Sequence, residues 1–264
     1  MFPVKFSTCR GVAIVAVAAL LCIVSVAAVA QKPVRSPSDT VREFYKALRE
    51  KRLREAFALS IYKPAVEGLK PQEFEDLRPD FERVAGIVPE KIDITGEQIS
   101  GEDASVFMKV PREDDPTQFD TTAMPLILVD GAWVIGDRDS QKLVKKAGNS
   151  FFFETRITTH HNDALSMLQL IQGAQLIYFK QHNGLFADLP TLIAGGLLPK
   201  DLEGTESTGY RFRIMLGKDA KTFTVGAEPA QYGRTGRLSF FMDQSGVRSG
   251  DKDGKPLVVK PEPK

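Results

Sequence analysis

Cysteine is nearly absent from this 264-residue chain: there are two, Cys9 and Cys22, and both fall in the first thirty residues. Beyond Cys22 no disulfide framework, thiolate metal site or cysteine nucleophile is available. Histidine is almost as scarce, with three in all and none between residues 36 and 140. General acid or base work in that stretch would therefore fall to a lone carboxylate. His160, His161 and His182 have no zinc-motif spacing. Gly-rich phosphate loops, a G-x-S-x-G nucleophile turn and repeats of solenoid length are missing as well. Charged residues are lacking from Gly11 to Ala30, and after Ala30 no apolar run is long enough to span a bilayer.

That uncharged run defines the N-terminus. Lys5 and Arg10 precede a Val-, Ala- and Leu-rich stretch closed by Ala28-Val29-Ala30, the pattern of a secretory signal with its small-residue cleavage site. Cleavage before Gln31 is expected. Twenty residues at about 1.5 Å each also reach roughly 30 Å, so a retained anchor touching the membrane through residues 11–30 is the alternative. Either way the chain is expected to be exported, to the periplasm or the outer face of the cytoplasmic membrane. Leu21 before Cys22 makes lipidation a minor reading.

The formal charge of +1 conceals an asymmetry. Residues 32–140 hold 16 Lys+Arg against 22 Asp+Glu, and residues 141–264 hold 17 against 12, giving −6 and +5. The halves are electrostatically unlike. No dense basic stripe with interleaved aromatics occurs, so nucleic acid is not an expected partner.

Ser36-Pro37-Ser38-Asp39 supplies a capping hydroxyl, a first-turn proline and an acid, which predicts a helix immediately after. Val41, Phe44, Tyr45, Leu48 and Phe57 form its apolar face, and Arg49–Glu55 its wet one. A second helix is predicted over about Gln72–Ala85. After Pro89 the period becomes two, through Ile92, Ile94, Val106, Met108 and Val110, and a hairpin joins Met124–Val129 to Ala132–Gly136 at Asp130-Gly131. Helices followed by antiparallel strands imply an α+β domain over residues 36–140.

Val41-x-x-Phe44-Tyr45-x-Ala47-Leu48 and the hairpin Leu128-Val129-Asp130-Gly131-Ala132-Trp133-Val134-Ile135 resemble the nuclear transport factor 2-like superfamily. The resemblance implies a cone-like domain, helices on a curved sheet, with Phe44, Tyr45 and Trp133 either lining a pocket or packing the core. Members of that superfamily include enzymes, binders and scaffolds, so it does not itself confer chemistry. No catalytic constellation is found, and the chain is expected not to be an enzyme.

Residues 141–159 read as a connector, basic at Lys142–Lys146 and apolar at Phe151, Phe152 and Phe153, a candidate interface. A helix from about Asn162 to Gln181 then opens the second domain, residues 160–258, with Leu165, Leu168, Ile171, Ala174 and Tyr178 as its stripe. Strands follow at Tyr210–Ile214, Phe223–Val225 and Leu238–Met242. Ala174-Gln175, Tyr178, Asn183-Gly184-x-Phe186-x-Asp188-Leu189, Gly196-Leu197-Leu198-Pro199 and Gly209-Tyr210-x-Phe212 resemble type IV pilin-like and pseudopilin-like globular regions. Ala227-x-Pro229, Gly233-x-Thr235-Gly236 and Ser239-Phe240-Phe241-x-Asp243-x-Ser245-Gly246-Val247 continue that likeness. It implies a helix laid on a small antiparallel sheet. The chain departs from filament subunits in having no prepilin processing signature and no apolar helix directly before Asn162, so the resemblance implies an interaction module without a polymerising stalk.

Some pseudopilins bind calcium, and Asp243, Asp251 and Asp253 are the acids that would supply such a site here. An EF-hand does not fit, because Lys260 stands where the twelfth-position Glu belongs. Residues 259–264 are expected to be a mobile tail. The function these features suggest is recognition or assembly at the cell envelope with a protein partner. The alternative is small-molecule binding or weak catalysis inside the cone.

Overall fold

The computed structural model describes residues 35–89, 92–112, 114–115, 117–205 and 207–257. The signal or anchor segment and the tail at 259–264 lie outside the described residues.

The expected cap is made: Ser36 accepts from the Asp39 amide at 3.0 Å and Pro37 begins helix α1 (Pro37–Arg49). Phe57 does not continue that helix. Lys51 takes a positive φ of 56°, which ends α1 and releases α2 (Leu53–Ala58) in a new direction, followed by α3 (Lys63–Glu67) and α4 (Pro71–Gly86). Four strands then pair consecutively and antiparallel: β1 (Asp93–Ser100), β2 (Asp103–Pro111), β3 (Phe119–Val129) and β4 (Ala132–Ile135). Asp130 and Gly131, with φ of 49° and 78°, make the tight hairpin. The far edge of β4 is covered, since the Ile61 amide donates to Ile135 O and the Ile135 amide to Leu59 O.

Val41, Val106, Met108, Leu126 and Trp133 fill the space between α1 and this sheet, with Phe44 and Tyr45 packed against them. Burial alone pushes the Tyr45 phenol up from its ordinary range.

The segment expected to be a connector is helical. Helix α5 (Arg138–Ala147) is capped by Asp137, and a single 3-10 turn leads into α6 (Phe151–Gln181), whose 31 residues run from the first half of the chain into the second. The predicted start at Asn162 is eleven residues late because Phe151–His161 has no apolar period of its own. Its helix is held by tertiary contacts: Phe152 and Phe153 pack on α2 and α4, and Glu154 and Arg156 pair with distant arginine and aspartates.

The second sheet is β5 (Tyr210–Leu216), β6 (Phe223–Pro229), β7 (Leu238–Asp243) and β8 (Gly246–Asp251), again in consecutive antiparallel order. The C-terminal half of α6 lies on it through Leu168, Ile171 and Ala174, against Tyr210, Phe212, Val225, Phe240 and Met242. Leu165, expected on that stripe, is 39% exposed. Gln175, fully buried, donates to Ala187 O at 2.6 Å and accepts from the Ala187 amide at 3.0 Å, so both ends of its amide are satisfied while it pins the chain leading to α7 (Leu189–Ala194). The architecture is α+β, with two antiparallel sheets.

Candidate functional site

Five aromatic rings from three separate stretches of sequence meet where α6 begins. Phe57 of α2, Tyr62 before α3, Phe81 of α4, and Phe151 and Phe152 of α6 form a continuous set with neighbouring ring centroids 4.8 to 6.3 Å apart. They line a groove of about 360 Å³ between α4 and α6, with Val84 and Thr159 on its rim. Val84 is 51% exposed, and Ile87, just past the end of α4, is 82% exposed.

The groove's charged end is fixed from within. Arg156, its side chain 8% exposed, donates from Nε to Asp80 at 2.6 Å, from Nη1 to Asp76 Oδ1 at 2.9 Å, and from Nη2 to the Asp76 carbonyl at 2.6 Å. Both carboxylates are thereby committed to a guanidinium, which is poor preparation for proton transfer.

A loop of the second half closes the same end. Arg234, between β6 and β7, lies 4.1 Å from the centroid of the Phe153 ring and 3.4 Å from Glu73. The Arg237 guanidinium makes two bonds to Glu154, at 2.8 and 2.6 Å. His160, which borders the groove, has its Nδ1 3.0 Å from the Thr235 carbonyl, which can only accept, so Nδ1 is the donor of this bond. Gly209 makes this approach feasible: it sits at φ +68°, and a Cβ there would come within 2.2 Å of His160 Nδ1. The neighbouring His161 accepts at Nε2 from the Arg237 and Leu238 amides, at 3.1 and 3.3 Å.

The residues singled out in the sequence fall into different places. Phe151 and Phe152 are in the groove, and Phe153 is buried beside it under Arg234. Phe44, Tyr45 and Trp133 are elsewhere, in the layer beneath α1. Asp243 and Asp251 stand at opposite ends of the β7/β8 hairpin, where Asp243 pairs with Gly246 and Asp251 with Leu238. Asp243 caps Ser245, and Asp251 accepts from Tyr232 and from the Asp253 amide. Among the described residues, no group of three His, Cys, Asp or Glu side chains is placed to hold a metal.

Sequence reasoning missed Arg156, Arg234 and the wall formed by α4. Arg156 follows Phe153 by three residues, and a basic residue inside an apolar stretch was the one signal that it has buried partners.

No protein-family model matches the chain, and no curated protein matches it. One solved structure, described as an NTF2-like transpeptidase from Campylobacter jejuni, aligns with 39% of this chain and 100% of its own at 15% identity and a TM-score of 0.28.

Proposed function

We propose that this chain is a non-catalytic recognition protein of the cell envelope and that the aromatic groove between α4 and α6 is its docking site. The observation carrying this reading is the five-ring groove, with Val84 half exposed on its rim. Aromatic rings give large contact area at low entropic cost, and exposed apolar surface rimmed by polar groups marks interaction sites. The partner that fits is a protein segment presenting an apolar side chain to the rings. Envelope location rests on the sequence of residues 1–30. The loop carrying Arg234 and Thr235 adds contacts to Phe153, Glu73 and His160 at the groove's charged end.

The cone interior supports a ligand less well, because Val41, Phe44, Met108 and Trp133 occupy it.

Binding of anilinonaphthalene sulfonate tests whether the groove accepts an apolar ring. Saturable fluorescence enhancement is expected from the native chain and its loss from Val84→Asp, with no change in thermal midpoint. Equal enhancement in Val84→Asp would overturn the assignment.

A further inference from the structure

The outward face of the second sheet carries an acid that the fold leaves incompletely satisfied. Glu228 is 6% exposed on the central strand β6. Its Oε2 accepts from Arg213 Nη2 at 2.7 Å, while its Oε1 is buried with no hydrogen-bond partner. Buried polar atoms are nearly always paired, and a carboxylate oxygen is among the costliest to leave alone.

Strand alternation places Glu228 and Gly226 on the face opposite the core residues Val225 and Ala227. Gly226 makes room for the carboxylate, since a Cβ there would lie 3.0 Å from Oε1. The register puts Arg211 opposite Glu228 and Arg213 opposite Gly226, so both guanidinium groups rise on this same face. With Glu203 on one side and Gly254 and Pro256 on the other, they enclose a cleft of about 390 Å³, within the size range of small-molecule sites.

The signs of the lining groups select the ligand. Two carboxylates and two guanidinium groups leave no net charge, so a simple cation meets two arginines and a simple anion meets two acids. A molecule bearing both charges a few ångströms apart satisfies both pairs.

We propose that this cleft binds a small zwitterion, a free α-amino acid or a short peptide, whose ammonium donates to Glu228 and whose carboxylate is held by Arg211 and Arg213. Arg211 already donates from Nη2 to Ala230 O at 2.5 Å, which orients the group and leaves its remaining N–H donors for the ligand. This site is separate from the aromatic groove and stands independently of its reading.

Titration of the isotopically labelled chain with L-alanine and with alanyl-alanine, followed by amide chemical shifts, tests the proposal. Saturable shifts are expected at residues 203, 211–213, 226–228 and 254–256. Methylammonium and acetate, each carrying one of the two charges, should produce none that saturate. Glu228→Gln and Arg213→Gln should each weaken binding at least tenfold. If Glu228→Gln does not fold, the exposed Arg211→Gln carries the test. Absence of saturable shifts with either zwitterion, equal shifts with the single-charge probes, or unchanged affinity in the folded variants would overturn it. So would a crystal grown with L-alanine that shows only a water molecule on Oε1.

Discussion

Arg156 and Asp76, eighty residues apart in sequence, are joined twice, side chain to side chain at 2.9 Å and guanidinium to main-chain carbonyl at 2.6 Å. With Asp80 completing the set, this contact fixes the first turns of α6 against α4 and so sets the width of the aromatic groove. Replacing Arg156 by Met keeps the stem and removes the charge, leaving Asp76 only the longer pair with Arg234 at 4.0 Å and Asp80 that with Arg83 at 3.4 Å. Breaking a buried pair by removing one partner costs about 3–5 kcal/mol. Asp76 and Asp80 keep 36% and 27% exposure, so water relieves part of that. A loss of about 2 kcal/mol is expected on urea unfolding. An unchanged midpoint would show that the pair does not hold the helices together.

Trp133 is 5% exposed and packs with Val41 and Met108 beneath α1. Trp133→Ala should therefore cost about 3–5 kcal/mol. That is a large share of the 5–15 kcal/mol typical of a folded domain. Stability within a few tenths of the native value would place the ring outside the core.

His161 couples stability to pH. Burial first, then Arg237 and His160, hold its pKa below the ordinary value of 6.5. The Tyr210 and Phe240 rings border it edge-on, and its Nε2 accepts two amides only when neutral. The unfolded chain therefore binds a proton at higher pH than the folded one. The contribution is complete above pH 6.5 and is lost as pH falls below it, through the lowered folded value. His161→Gln keeps an acceptor and cannot titrate there. The native chain should lose stability more steeply than this variant between pH 6.5 and pH 5. Parallel curves would mean that His161 does not titrate differently on folding.

Much of the fold was legible where local chemistry decides it. The Ser36 cap, the Asp130-Gly131 hairpin and the strands at Tyr210, Phe223 and Leu238 all follow from short-range patterns. The start of α6 was not legible, because Phe151–His161 offers three aromatics, three threonines and two histidines and no apolar period. Its helix depends on Asp76, Asp80 and Arg237, all remote in sequence. Strand β8 was hidden likewise, since Gly246–Asp251 is mostly small and polar and is a strand through pairing with β7. The three phenylalanines signalled a site needing a partner surface. That Phe57, Tyr62 and Phe81 would complete it depends on tertiary packing that local pattern does not encode.

The groove as a docking site is most directly tested by placing a photo-crosslinking amino acid at Val84, Ile87 or Thr159 in intact cells, with Asp139, its side chain 90% exposed on α5, as the control position. The proposed function predicts one discrete adduct of the same mass from the three groove positions, lost when Phe151 is also changed to Asp, and none from position 139. Discrete adducts from position 139 alone, or none from any of the three groove positions, would contradict it.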